Sequence, residues 1–285
     1  MEEKYMGNNS IKSNLTKDYI ISDLRLSLSD DIYRKKVFIV VEGEDDIKFL
    51  KSCFNADTTV LYESYDGKTG VSEIVKNFFP DDKRVIGIRD KDYLSYEESP
   101  KIFFYDNCCL EMMIIENEEA FNSIYNEFYK GEMRSMELLN KMLTELRFLS
   151  IIRMFNENFQ WEIKLRALSI NKIFIPDTYS IDHYKVVNEL NKISNNIIDD
   201  NKLGMISEYG NQVQTVQDLL NITQGHDFSS LFAAICNIHT NKGIASKEVE
   251  MVLRCAYRNE DFQETRLYSS LLTYQENLGI FFLST

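Results

Sequence analysis

Lys36-Val37-Phe38-Ile39-Val40-Val41 is an unbroken run rich in β-branched residues, and it stops at Glu42-Gly43. Such a run, apolar on both faces, reads as a buried strand of a parallel sheet. Beyond it, Ile47, Phe49, Leu50 and Phe54 fall at near-helical spacing over residues 45–54. Asp45 and Asp46 lie in that helix's first turn, where carboxylates suit the dipole. Thr58–Tyr62 reads as a second strand, Asp66–Gly70 as a loop, and Val71–Phe79 as a helix ended by Pro80-Asp81-Asp82. Arg84-Val-Ile-Gly-Ile88 is a third strand and runs into Arg89-Asp90-Lys91-Asp92. Lys101–Tyr105 is a fourth strand, followed by a helical stretch over Leu110–Glu119. Strand and helix alternate, which argues for a parallel sheet with right-handed crossovers.

Outward from this core the signals change. Residues 1–16 read as a leader, and Lys17–Leu28 as a weakly amphipathic helix. After about residue 120 the β signals fade. Helices are expected over 121–175, 182–200, 211–222, 226–239 and 245–278, with breaks near 171–178, 200–210 and 240–244. The expected fold class is α/β: a Rossmann-like, mainly parallel domain over 34–120, preceded by a leader and helix over 1–33 and followed by an all-α domain over 121–285. With 285 residues, 44% of them hydrophobic, the chain has ample material for a core.

The net charge is −13. A stand-alone, sequence-independent nucleic-acid binder draws its affinity from neutralised phosphates and is usually basic. Binding by this chain requires a local basic strip, divalent cations or a basic partner. Residues 147–166 hold Arg147, Arg153, Lys164 and Arg166 against Glu157 and Glu162, and are the expected strip. Cys53, Cys108, Cys109, Cys236 and Cys255 show no metal-ligand spacing and read as reduced, mostly buried thiols. No signal peptide and no 18-residue apolar run is legible, so a cytoplasmic protein with no membrane association is expected.

Three acidic residues stand at the carboxyl ends of expected strands: Glu42 after the first, Asp90 and Asp92 after the third. Ligand crevices of open parallel sheets lie there. Asp90 and Asp92, two apart on extended chain, point to one side. Clustered carboxylates repel unless a cation joins them. The bland reading of each residue alone is a solvated loop acid; together they read as a Mg²⁺ or Mn²⁺ site, to which Asp46 would add a fourth ligand. Lys68 and Lys91 are expected to meet substrate phosphate. Gly67-Lys68-Thr69 lacks the first glycine of a phosphate loop, since Tyr62 occupies that position. The three histidines form no zinc pattern; in Gly225-His226-Asp227, Asp227 reads as a helix N-cap.

Val-Val-Glu42-Gly43-x-x-Asp46 after a hydrophobic strand, then a later strand ending Asp90-x-Asp92, resembles the Toprim domain over roughly residues 36–118. That family serves primases, topoisomerases, recombination proteins and OLD-type nucleases. The resemblance implies that Glu42 is the acid/base or metal-ligand glutamate and that Asp90 and Asp92 are the metal-binding pair. Toprim proteins often carry a glycine soon after the paired aspartates; this chain has Tyr93-Leu94. With Leu110-Glu111, Gly225-His226-Asp227 and a helix around Phe262–Gln275, the chain further resembles the Toprim effectors (AriB) of PARIS anti-phage systems. That likeness implies Glu111 as a further metal-site acid, nucleic-acid cleavage with tRNA favoured and DNA open, and restraint by an ABC-type ATPase partner. An oligomer is expected when active, with Leu267, Leu271, Leu272, Tyr274 and the tail Ile280–Leu283 as the candidate contact surface; the bland alternative is that this tail packs into its own domain. The rival expectation is a non-catalytic Toprim-fold binding or regulatory subunit of a larger complex.

Overall fold

The computed structural model describes residues 16–94, 96, 99–195, 197–240 and 243–284. The expected leader therefore lies, but for Thr16, outside the described residues. By contacts the chain divides into two compact units. The first gathers the chain up to Asp90, the Tyr96–Phe104 stretch and everything from Phe262 on; the second gathers Lys91–Ser95 and Tyr105–Asp261. The division is not a single cut near residue 120, because the C-terminal segment folds with the sheet.

In the first unit, helix α1 (Lys17–Ser29) precedes strand β1 (Val37–Val41), then α2 (Glu44–Leu50), β2 (Thr59–Glu63), α3 (Gly67–Glu73), β3 (Val85–Arg89) and β4 (Ile102–Phe104). The four strands form one parallel sheet in the order β2-β1-β3-β4. All five residues of β1 and of β3 are buried, as interior strands of a sheet covered on both faces require. Phe38 and Val40 join Val85 and Ile102 in a core with Ile20, Ile21 and Leu24 of α1 and Val71 of α3. Val37, Ile39 and Val41 alternate to the other face and are equally buried. Gly87 of β3 permits the close approach of α3: a Cβ there would stand 2.7 Å from Val71 Cγ1.

Two local expectations change. The helix expected over 71–79 begins at Gly67, so Lys68 sits in its first turn rather than in a loop. Gly67 turns the chain with φ +47°, and its carbonyl accepts from Ser64 Oγ at 2.7 Å. The helix then widens into a π-turn over Ile74–Phe78.

The C-terminal helix Arg266–Leu278 is capped by Thr265 at its start and by Gly279 (φ 71°) at its end. The tail beyond it is tied down within this unit at Phe282 and Leu283, while Leu272 and Phe281 stay exposed. The buried Gln275 accepts from the N–H groups of Phe282 (3.0 Å) and Leu283 (3.1 Å). Asn55 N–H donates to Phe282 O at 2.9 Å, and Ser284 N–H to Cys53 O at 2.9 Å. Leu267, Leu271, Phe282 and Leu283 are buried; burial of apolar tail surface outweighs leaving it in water.

The second unit is mainly helical: α4 (Leu110–Glu116), α5 (Glu118–Phe128), α6 (Ser135–Asn158), α7 (Ile170–Ile173), α8 (His183–Ile193), α9 (Asp200–Gly210), α10 (Val216–Leu220), α11 (Gly225–Ile238) and α12 (Ser246–Ala256). It is not all-α. Phe174–Ile175, inside the stretch read as helix and break, and Ser180–Ile181 just beyond it pair as a small antiparallel ribbon. The break expected over 200–210 is α9, started by Asp199, whose side chain accepts from Lys202 N–H. The long expected helix over 121–175 stops and restarts, and α6 supplies its central 24 residues.

Three asparagines near helix ends close the loops that follow by one device. Asn156, Asn191 and Asn237 each bond both backbone groups of the isoleucine seven residues on. The carboxamide accepts from the Ile163, Ile198 or Ile244 N–H and donates to the same residue's carbonyl, so a loop turn carries satisfied backbone groups. Among the described residues no helix is long and apolar enough to cross a membrane.

Candidate functional site

The carboxyl end of the sheet in the first unit collects two of the expected acids. β1 and β3 are hydrogen-bonded neighbours, with Phe38 opposite Val85 and Val40 opposite Gly87. The residues just beyond them, Glu42 and Asp90, are thereby brought to one edge. Asp90 N–H donates to Glu42 Oε1 at 2.9 Å. Glu42 Oε2 faces the turn at Gly67, where an added Cβ would stand 3.6 Å away. Both carboxylates are half-buried. Asp46 Oδ2 accepts from Gly43 N–H at 2.9 Å, closing the first turn of α2. That bond uses one oxygen of Asp46 for a capping role that the spacing had not revealed. Lys68 stands half-buried one residue past Gly67.

The remaining acids belong to the second unit, around the start of α11. Asp92 is buried, in the left-handed region at φ 50°. Its N–H donates to Cys108 O at 2.7 Å, and its Oδ1 accepts from Gln224 Nε2 at 3.0 Å. Gln224 is the residue before α11, and its amide also lies 3.3 Å from Tyr93 Oη. Burial holds the Tyr93 hydroxyl well above its ordinary pKa, so it stays a neutral phenol. Glu111 packs against Gly225, where a Cβ would stand 2.2 Å from Glu111 Oε2 and 2.6 Å from its Cβ. Glycine at that position is what gives Glu111 its room.

Asp227 is not the N-cap of α11. It lies inside the first turn, 2% exposed, paired with Arg153, whose Nη2 donates to Oδ1 at 2.8 Å and whose Nε donates to Oδ2. A buried carboxylate requires a partner, and a two-pronged guanidinium satisfies both oxygens. Arg153 is thus an interior ion-pair residue and leaves the expected nucleic-acid strip. Arg147 reaches the Val213 carbonyl at 3.5 Å, while Lys164 and Arg166 are exposed. Lys91 Nζ donates to Asn221 Oδ1 at 2.8 Å. Sequence reasoning missed Gln224 and Tyr93; the one visible signal was the polar Gln-Gly-His-Asp stretch before the apolar run of α11.

No protein-family model matches the chain, and no curated protein matches it.

Among the described residues, no group of three or more His, Cys, Asp or Glu is placed to hold a metal ion. Glu42 and Asp90 nevertheless supply the donor type that Mg²⁺ takes. Mg²⁺ is commonly held by one or two carboxylates, with water and substrate phosphate completing the octahedron. The two residues supply the oxygen chemistry that mode uses.

Proposed function

We propose that the chain is a Toprim-type, Mg²⁺-dependent nuclease that hydrolyses phosphodiester bonds of nucleic acid. The observation that carries this reading is the Glu42–Asp90 contact at the carboxyl ends of two adjacent interior parallel strands. The carboxyl end of a parallel sheet is where such folds bind ligands, and carboxylates are the donor type that Mg²⁺ takes. Asp90 would hold Mg²⁺, the role that the Toprim resemblance implies for it. A bound ion would supply charge stabilisation at the phosphate. Glu42 would ligate or take the proton of the attacking water, and the Asp90 N–H keeps its side chain oriented for either. The likeness to PARIS effectors extends the proposal to tRNA as substrate, to an ABC-type ATPase that restrains the chain, and to an oligomeric active form.

A second reading has its own support. Asp92 is buried and bonded to Gln224, and Asp46 is engaged in a cap, as in a Toprim fold retained for binding alone. One experiment separates the two. Purified chain is incubated with tRNA and with supercoiled DNA in Mg²⁺ and in EDTA. Mg²⁺-dependent cleavage that Glu42→Gln abolishes supports the nuclease; no cleavage of either substrate supports the binding subunit.

A further inference from the structure

Helix α6 ends at Asn158 with an aromatic group that the site above does not use. Phe159 is 52% exposed, and its ring stacks on Trp161 at 6.0 Å with an interplanar angle of 25°. Phe155 braces both rings edge-on, at 5.3 Å and 5.5 Å. Tyr209 of α9 backs Phe155 at 5.4 Å. Lys202 Nζ lies over the Trp161 ring, 5.6 Å from its centroid.

The loop that presents this pair is a strained one. Gln160 and Glu162, on either side of Trp161, have φ 52° and 61°, a region that L side chains seldom enter. Each such residue costs about 1–3 kcal/mol and persists only when its surroundings enforce it. Asn156 does so here by bonding both backbone groups of Ile163, at 2.7 Å and 3.3 Å. Three and five residues beyond Trp161, Lys164 and Arg166 are exposed.

We propose that the Phe159–Trp161 pair is a stacking platform for unpaired nucleobases of a single-stranded nucleic-acid segment, with Lys164 and Arg166 meeting its phosphates. The choice of nucleic acid rests on the proposed nuclease reading. Flat exposed rings beside cations are the means by which single strands are bound without sequence preference. A duplex keeps its base faces stacked inside and offers the platform only its backbone. The partner is therefore a loop or a frayed strand.

Trp161 is the only tryptophan of the chain, so intrinsic tryptophan fluorescence reports on this pair alone. Wild-type protein in EDTA is titrated with single-stranded oligouridylate and oligothymidylate and with a duplex of equal length. Saturable quenching by the single strands, and weaker quenching by the duplex, is expected. Phe159→Ala should weaken binding roughly 5- to 150-fold, the usual loss of one stacked base. Phe159→Leu keeps an apolar side chain on Trp161 without the flat ring and should weaken it likewise. Lys164→Glu with Arg166→Glu should flatten the salt dependence. Unmoved fluorescence, equal quenching by duplex, or full affinity in Phe159→Leu would each overturn the platform. Cleavage of tRNA without any change in Trp161 emission would sink the platform and leave the nuclease reading standing. Quenching without Mg²⁺-dependent cleavage would do the reverse.

Discussion

Glu42 Oε1 accepts a 2.9 Å hydrogen bond from the backbone N–H of Asp90, joining the ends of two strands 48 residues apart in sequence. The carboxylate therefore has a structural partner besides any ligand. This changes what replacing it should do. On repulsion alone, removing an acid from an acidic edge would be neutral or stabilising. With the bond present, Glu42→Ala leaves a half-buried N–H unpaired and should cost about 1–2 kcal/mol. Glu42→Gln retains an acceptor oxygen and should melt close to wild type. On the proposed mechanism both variants lose Mg²⁺-dependent cleavage, by about 100-fold or more. Melting curves and cleavage rates on the two variants check this. A fully active Glu42→Gln protein would remove Glu42 from the chemistry.

Gly225→Ala should be destabilising out of proportion to its size. The new methyl would meet the Glu111 side chain at 2.2 Å and 2.6 Å, and overpacking of this kind costs about 1–3 kcal/mol. Glu111→Ala in the same chain removes the clashing carboxylate, Oε2 and Cδ, and should recover part of the loss. Urea denaturation of the single and double variants measures it. Additive losses would show that the two residues do not oppose one another.

Arg153→Met should be among the most damaging single changes in the second unit. It strands the Asp227 carboxylate, 2% exposed, without its cation, a loss of about 3–5 kcal/mol. Replacing both partners, Arg153→Met with Asp227→Leu, removes the buried charges together and should cost much less. The same variants test the reassignment of Arg153. If Arg153→Met folds normally but binds nucleic acid weakly, the residue belongs to the binding strip after all.

Thiol chemistry should single out one cysteine. Cys53, Cys108, Cys109 and Cys236 are buried, and Cys255 is exposed. Burial pushes the Cys53 and Cys236 thiols up to about 12, so near neutral pH they are protonated as well as hidden. Native protein should give one fast-reacting thiol with an aromatic disulfide reagent, lost in Cys255→Ser, and all five after unfolding. The sign of the pH effect follows. The folded chain keeps these two protons above the ordinary value of 9.0 while the unfolded chain releases them. Their contribution is present in full below that value and is lost as pH rises toward about 12. Two or more fast thiols in the native state would contradict the burial of Cys53, Cys108, Cys109 or Cys236.

Much of the sheet was legible because its signal is local. The apolar runs at 36–41 and 84–88 need only their own residues to declare buried strands, and both appear within a residue or two of their expected bounds. Their ends followed, which is how Glu42 and Asp90 were found. Helix limits in the second half were harder to read, since apolar periodicity there runs on through loops. The Asn156, Asn191 and Asn237 bonds close three of those loops, and an asparagine carries no mark of whether its amide will find a backbone seven residues on.

The sequence by itself determined the alternation of strand and helix, the parallel sheet and the placing of Glu42 and Asp90 after its interior strands, because periodicity and burial act within a few residues. Only the tertiary structure decided which polar groups pair. Arg153 and Asp227 are 74 residues apart and Gln224 and Asp92 are 132 apart. Nothing in the pattern around Arg153 separates a surface cation from the partner of a buried carboxylate. The tail Ile280–Leu283, equally apolar in either setting, packs against Phe54 and Asn55 because the sheet unit presents that surface. Pair choice over such distances is set by desolvation, which exists only once the chain has closed around the groups concerned.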